Sequence, residues 1–234
     1  MRLRSLTYLT TLSLAAFVAV PGSALAQDIA IRVNGELITS HDIVQRALFQ
    51  NLPSLQNPIS DFYERLNALL ASDKVKETLR QKTFAAQPRT PKEAQQVAER
   101  INKELIEEAT MQILSERTGA RKSVIDALID DKLKLQAAKR LGIGITDEDV
   151  VKDIIVERLA EREEPDANAY YAPRVAYGIG RKTIQEIIRA GLAWRAVMNR
   201  TYGPPKALEG NSAYESFSRA YLDELRRNAI VHRE

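Results

Sequence analysis

A β-hairpin is predicted by the residues Ile29-Ala-Ile-Arg-Val-Asn-Gly-Glu-Leu-Ile38, which lie near the start of the chain. Apolar side chains alternate with small or charged ones before Asn34-Gly35 and resume after it, as in two half-buried strands. Asn-Gly adopts the positive φ values that a two-residue turn requires. Because an isolated hairpin is only marginally stable in water, this one must pack on another element or pair with a further strand.

The residues that follow the hairpin predict helices. A threonine precedes Asp or Glu by three positions at Thr39, Thr90 and Thr146, and this spacing is typical of a capped helix N-terminus. Apolar residues at i, i+4 spacing indicate amphipathic helices with one buried face. The two longest stripes are Val97-Ile101-Leu105-Ala109-Ile113 and Ile125-Ile129-Leu133-Ala137-Leu141.

The remaining segments complete the predicted fold. One helix is predicted from about residue 61 to residue 87, whereas residues 161–173 contain Pro165 and Pro173 and predict an irregular segment. Residues 228–232 predict a short closing strand that pairs with the hairpin. The predicted fold class is therefore mainly α, with a small β element that joins the N-terminal hairpin to the C-terminal strand.

Residues 1–26 are predicted to be a cleaved secretory signal peptide. They begin with the basic residues Arg2 and Arg4, continue with a mostly apolar run, and end in the small-x-small cleavage site Ala24-Leu25-Ala26. An uncleaved membrane anchor is the alternative, but the apolar run is shorter than the roughly 20 residues that a spanning helix needs. The mature chain, residues 27–234, is therefore expected outside the cytoplasm and without a membrane span.

Composition argues against several kinds of site. The chain has no cysteine, so it has neither disulfides nor thiolate chemistry. Its formal net charge of +3 includes Arg2 and Arg4, so the mature chain is nearly neutral and no nucleic-acid partner is expected. The two histidines, His41 and His232, do not form a recognisable catalytic triad with other residues. We therefore predict no catalytic residue.

Two acidic clusters, Asp130-Asp131 and Asp147-Glu148-Asp149, are the candidates for a metal site. Their spacing lacks the converging ligands and the tight glycine loop that oxygen-ligated metals require. The second cluster is explained by its place at a helix start, where negative charge is favourable. Gly178-Ile-Gly180 likewise lacks the full pattern of a phosphate-binding loop. No metal and no cofactor is predicted.

Aromatic residues remain as candidates for binding. Tyr170, Tyr171 and Tyr177 lie in or just after the predicted irregular segment, and Trp194 lies on the helix that follows. Aromatic rings offer a large contact area at a small cost in conformational entropy, which suits the binding of extended apolar peptides. The alternative is that these rings only cover the core.

Several stretches, in order along the chain, resemble the SurA-type periplasmic chaperones. They run from the hairpin into the first helix, along the second apolar stripe to the Thr146 cap, and through the Trp194 helix to the tail. The corresponding residues are 31–42 (IRVNGELITSHD), 128–136 (LIDDKLKLQ), 141–149 (LGIGITDED), 177–202 (beginning YGIG) and 221–231 (YLDELRRNAIV).

This resemblance implies an ATP-independent chaperone domain over residues 27–234 that binds unfolded outer-membrane or secreted polypeptides in the periplasm. Two departures from the family stand out. Residues from about 52 to 117 form a longer helical segment than the family pattern contains, and they are interpreted as a helical insertion. The parvulin prolyl-isomerase domain that the family usually carries is missing, because Tyr202 is followed almost at once by the tail helix.

Because of these two departures from the family, two functions other than that of a chaperone remain possible. One is a prolyl isomerase, which the family name suggests and the missing parvulin segment argues against. The other is a structural protein whose helices between residues 61 and 117 dock on a partner or form a dimer. The sequence leaves the oligomeric state open.

Overall fold

The structure is a computed structural model that describes residues 31–52, 61–160, 166–203 and 211–233. The predicted signal peptide, the first hairpin residue Ile29 and Pro165 lie outside these ranges. Within them, the chain folds into helices and one antiparallel sheet of three short strands in the order β2-β1-β3. The strands are β1 (Ile31–Val33), β2 (Glu36–Ile38) and β3 (Val231–Arg233).

The sheet confirms both the predicted hairpin and the predicted meeting of the two ends. Asn34 and Gly35 have φ values of 51° and 88°, as a two-residue turn of this kind requires. On the other side of β1, Val33 lies opposite Val231 in the register of β3. The Asn34 backbone N–H donates to the Ile230 carbonyl at 2.9 Å, and the Ile230 N–H donates to Asn34 Oδ1 at 2.9 Å.

Helices make up most of the described chain. Their bounds are α1 (Ser40–Gln50), α2 (Phe62–Ala71), α3 (Asp73–Ala85), α4 (Pro91–Glu116), α5 (Ala120–Arg140), α6 (Asp147–Asp153), α7 (Ala167–Ala176), α8 (Arg181–Thr201) and α9 (Asn211–Asn228). The predicted caps are present, since the hydroxyls of Thr39, Thr90 and Thr146 accept N–H bonds three residues on at 3.2, 3.2 and 3.1 Å. A π-helical segment, Ile154–Arg158, continues α6.

Two predictions of secondary structure are wrong. The single helix expected from residue 61 to 87 is broken, because the Ser72 hydroxyl accepts from the Val75 N–H at 3.4 Å and begins a new helix. The irregular segment expected over residues 161–173 contains the start of α7, with Pro173 inside that helix. An interior proline costs a helix about 3 kcal/mol, and burial of Tyr170 and Tyr171 on the same helix offsets this cost.

The core is built around α5 and α8, which pack against each other more extensively than any other described pair of helices. The sheet and α1 cover α5, and the inner-face residues Ile31, Val33 and Ile38 are no more than 1% exposed. Helices α2 and α3 pack on α4, whose predicted stripe is buried from Ile101 onward. No described helix combines the length and the apolar character needed to cross a bilayer.

Candidate peptide-binding surface

Tyr170 and Tyr171 lie on the inner face of α7. Their rings meet edge to face with centroids 6.1 Å apart, and the two residues are only 6% and 2% exposed. This position favours the alternative that the two rings cover the core. In this conformation the two rings face the core and do not form part of the exposed surface.

Tyr177 follows the last residue of α7 and is 41% exposed. Its ring packs against Tyr63 of α2, with centroids 4.6 Å apart. Tyr63 is held in place by a hydrogen bond from its hydroxyl to the Leu48 carbonyl at 2.7 Å. Burial raises the pKa of Tyr63, and the neighbouring Tyr177 raises it further. Tyr177 is thus supported on one side by a fixed ring and exposed on the other.

The outer face of the C-terminal half of α7 is apolar and exposed. It carries Ala172, Pro173, Val175 and Ala176 and ends at Tyr177, and we call these five residues the α7 surface. Val175 is 48% exposed, whereas the outer face of a surface helix usually carries charged and polar residues. The π-helical segment packs against α7 and carries another exposed apolar side chain, Val156, which is 53% exposed. Exposed apolar residues on one helix face are a candidate surface for binding an apolar partner.

Sequence reasoning missed this surface because it treated the residues before Pro173 as irregular. A signal was present. Ala167, Tyr170, Tyr171 and Arg174 follow the i, i+3, i+4, i+7 spacing of one helix face. Asp166 also has the chemistry of a helix N-cap, and in the structure its carboxylate accepts from the Asn168 N–H at 2.9 Å.

A buried glutamine positions the end of α7 against the start of α8. Gln45 of α1 donates from Nε2 to the Gly178 carbonyl at 3.2 Å and accepts from the Gly180 N–H at 2.6 Å. Gly178 has a φ of 82°, a conformation that residues other than glycine adopt at a cost. Because Tyr177 directly precedes this turn, Gln45 also helps to set the position of the exposed ring.

Trp194 belongs to a different aromatic group. Its ring stacks on Tyr221 of α9, with centroids 5.7 Å apart, and its Nε1 donates to Ser218 Oγ at 2.9 Å. The stack continues through Phe217 to Tyr202, whose rings are 4.7 Å apart. Tyr202 is 47% exposed. The structure therefore places Tyr170 and Tyr171 on the inner face of α7 and Tyr177 directly after that helix, whereas Trp194 joins α8 to α9.

The polar residues that the sequence singled out make ion pairs and caps. His41 contacts Glu107 of α4 at 2.5 Å. Asp130 receives two hydrogen bonds from Arg226 at 2.7 and 2.6 Å, and Asp131 pairs with Arg46 at 3.1 Å. Within the ranges that the structure describes, no group of three or more histidine, aspartate or glutamate side chains is arranged to hold a metal ion.

A comparison with protein families identifies the central part of the chain. Residues 86–198 match the family described as the SurA-like N-terminal domain. The match includes the α7 surface and Trp194. It also includes α4, which lies inside the predicted insertion of residues 52–117. The bounds of that insertion remain a prediction. Neither the curated proteins nor the solved structures contain a significant match. Residues 86–198, just under half of the chain, are therefore similar to the SurA-like N-terminal domain family.

Proposed function

We propose that the mature chain, residues 27–234, is an ATP-independent chaperone that binds unfolded outer-membrane or secreted polypeptides in the periplasm. The family match supports a chaperone-like role. The proposal rests mainly on the exposed apolar face of α7, which lies inside the matched domain. The buried side chains of Tyr170 and Tyr171 pack on the opposite face of the same helix. The predicted signal peptide supports export to the compartment in which this family works.

The proposed mechanism is shallow and reversible burial of apolar client side chains on the α7 surface. Full burial of one large apolar side chain contributes about 1.5–3 kcal/mol, and ordering the client chain cancels part of this gain. Binding of a few side chains is therefore weak enough for release without ATP. Since the protein binds the unfolded client and not the folded one, it lowers the concentration of the species that aggregates.

The proposal is tested by diluting a urea-denatured β-barrel precursor into buffer and following aggregation by light scattering. An equimolar amount of the mature protein is expected to slow the rise in scattering. Unchanged scattering would contradict the chaperone function.

Variants locate the site. The double variant Val175→Ser, Tyr177→Ser removes two exposed apolar side chains and is expected to lose most of the protection. The control is Ile230→Ser, which removes an even more exposed apolar side chain (61% exposed) beside β3. If both proteins protect the client as well as the wild type does, the α7 surface is not the binding site.

We further propose that the chain does not catalyse prolyl isomerisation. The matched family is the SurA-like N-terminal domain, and the sequence between Tyr202 and the tail helix is too short for a parvulin domain. In a proline tetrapeptide assay, the mature protein is expected to leave the rate of cis/trans isomerisation at its value in buffer. A clear increase in the rate would show that the chain is an enzyme.

A further inference from the structure

Two arginine side chains lie against the ring of Tyr170, beside the α7 surface. The guanidinium carbon of Arg174 is 3.5 Å from the ring centroid and that of Arg158 is 5.6 Å from it. Arg174 also donates to the Tyr170 carbonyl at 2.7 Å, and Arg158 donates to the Tyr170 hydroxyl at 3.3 Å. A third guanidinium, that of Arg181, lies 4.2 Å from the centroid of the neighbouring Tyr171 ring.

Among the residues that the structure describes, the positive charge of this group exceeds its negative charge. Asp153, which is buried, pairs with Arg158 at 3.0 Å and with Arg195 at 3.8 Å. Among the described residues, no carboxylate pairs with Arg174 or Arg181. The Arg181 guanidinium donates instead to the neutral Asn168 amide at 3.2 Å.

Within the ranges that the structure describes, the buried part of the Arg174 guanidinium lacks a hydrogen-bond partner. Its Nε atom is buried and has no hydrogen-bond partner among the described residues. Burial lowers the pKa of Arg174, and the positive charge of Arg158 adds to this effect. An anion beside the Arg174 guanidinium would therefore meet a cation that no described carboxylate neutralises, and charge-assisted hydrogen bonds of this kind are stronger than neutral ones.

The shape of the group favours a carboxylate. A guanidinium presents two parallel N–H donors that match the two oxygens of a carboxylate group. Arg174 lies one helical turn from Tyr170 and three residues before Tyr177, a spacing that places it beside Tyr177 at one edge of the α7 surface. A polypeptide that places apolar side chains on that surface can therefore place an acidic side chain near Arg174.

We propose that Arg174, with Arg158 beside it, binds a carboxylate group of a client polypeptide whose apolar side chains lie on the α7 surface. This inference rests on the proposed chaperone function and adds a client preference to it. The preferred clients carry Asp or Glu beside apolar residues, and a purely apolar segment binds more weakly.

A pair of labelled peptides tests the preference. Both contain the same valine and tyrosine residues and an amidated C-terminus, and one carries two Glu where the other carries two Gln. Fluorescence anisotropy with the mature wild-type protein is expected to show about tenfold tighter binding of the Glu peptide, which corresponds to one charge-assisted hydrogen-bonded pair. This preference is expected to shrink as salt is added.

The outcomes separate the two proposals. If neither peptide binds, the chaperone function is contradicted together with the preference. If both bind equally, only the preference is overturned. If the protein instead binds phosphatidylglycerol vesicles and shows no preference between the peptides, its anionic ligand is a lipid phosphate and the proposal is again overturned.

Substitutions test whether Arg174 accounts for the preference for the Glu peptide. Arg174→Gln is expected to bind both peptides with the affinity that the wild type has for the Gln peptide. Arg100→Gln, which removes one exposed positive charge from α4, is expected to keep the wild-type preference. An Arg174→Gln protein that still prefers the Glu peptide would overturn the assignment.

A photo-crosslinking Glu peptide tests the site on the wild-type protein, so the test does not depend on how well the variant folds. Crosslinks within residues 167–177 support the proposal, and crosslinks confined to other parts of the chain overturn it.

Discussion

Gln45 is a buried side chain, 5% exposed, whose amide bonds to the turn between α7 and α8. Its two hydrogen bonds reach residues 133 and 135 positions further along the chain. Asn34 acts similarly at the hairpin, where its Nδ2 donates to Gln136 Oε1 at 2.7 Å and its Oδ1 accepts from the Ile230 N–H. In both cases a single amide holds together segments that are distant in sequence.

Replacing Gln45 by alanine is expected to lower the free energy of unfolding by about 1–3 kcal/mol, because the Gly178 carbonyl and the Gly180 N–H lose their buried partner. Urea denaturation followed by circular dichroism measures the change. Gln96→Ala, at an exposed position of α4, is the control and is expected to change stability by less than about 0.5 kcal/mol. Equal effects of the two substitutions would show that the amide bonds do not contribute.

The hydrogen bonds of Asp149 predict that the stability of the fold depends on pH. The Thr146 N–H and hydroxyl donate to its carboxylate at 2.8 Å each, and these two bonds lower its pKa. Because the pKa is lower in the folded state than in the unfolded one, the carboxylate stabilises the fold above its ordinary pKa of about 3.9. This stabilisation is lost as the pH falls through the lowered folded-state value.

At pH 7 the Asp149→Asn variant is expected to melt at a lower temperature than the wild type. The difference between the two melting temperatures is expected to narrow as the pH drops below about 4. Glu148→Gln removes a charge from the same helical turn without removing the cap, and it serves as the control. A gap between the wild type and Asp149→Asn that is the same at every pH would contradict the capping role.

Among the elements, α3 differs most from α5 and α8. None of its side chains is buried, and it packs mainly against α2 and α4. Lys82 of α3 pairs with Glu104 and Glu108 of α4 at 3.1 and 3.6 Å, and exposed pairs of this kind stabilise a fold by 0 to about 1 kcal/mol. With little apolar burial to hold it, α3 is suited to open locally. We retain the proposal that residues 52–117 are a helical insertion.

Local opening of α3 is measured by amide hydrogen exchange. The amides of α3 are expected to exchange much faster than those of the central helices α5 and α8, because local opening of α3 exposes little apolar surface. The C-terminal half of α4 carries buried residues from Ile101 to Leu114 and is expected to remain protected. Protection of α3 equal to that of α5 would contradict this description.

At the scale of the whole molecule, the two ends of the described chain meet in one sheet. Strand β3 pairs with β1, and Arg226 of α9 pairs with Asp130 of α5 just before β3 begins. These contacts fasten the last helix to the core, and the stack of Trp194 on Tyr221 adds a second attachment. The tail is thus part of the folded unit.

Removing residues 229–234 is expected to lower the thermal midpoint by about 5 °C, because the bonds of β1 and Asn34 to the tail are lost. Differential scanning calorimetry of the mature chain measures the midpoint. Ile230→Ser keeps the backbone pairing and is expected to leave the midpoint close to that of the wild type. A truncated chain that melts like the wild type would show that the closing strand is dispensable.

The amino-acid sequence alone determined the hairpin, the three threonine caps and the stripes of α4 and α5. These features depend on residues no more than about four positions apart, because turn geometry, capping bonds and helical periodicity are local. The closing strand was predictable as well, since the hairpin needed a partner and few extended segments were available.

Only the tertiary structure decided the character of α7. Its proline predicted a break in the helix, but the cost of that proline is offset by the packing of Tyr170 and Tyr171 against distant residues. The same packing turned one face of α7 inward, left Val175 and Tyr177 exposed, and gathered Arg158 and Arg174 around one ring. Such arrangements depend on which helices meet in space, and local sequence patterns do not contain that information.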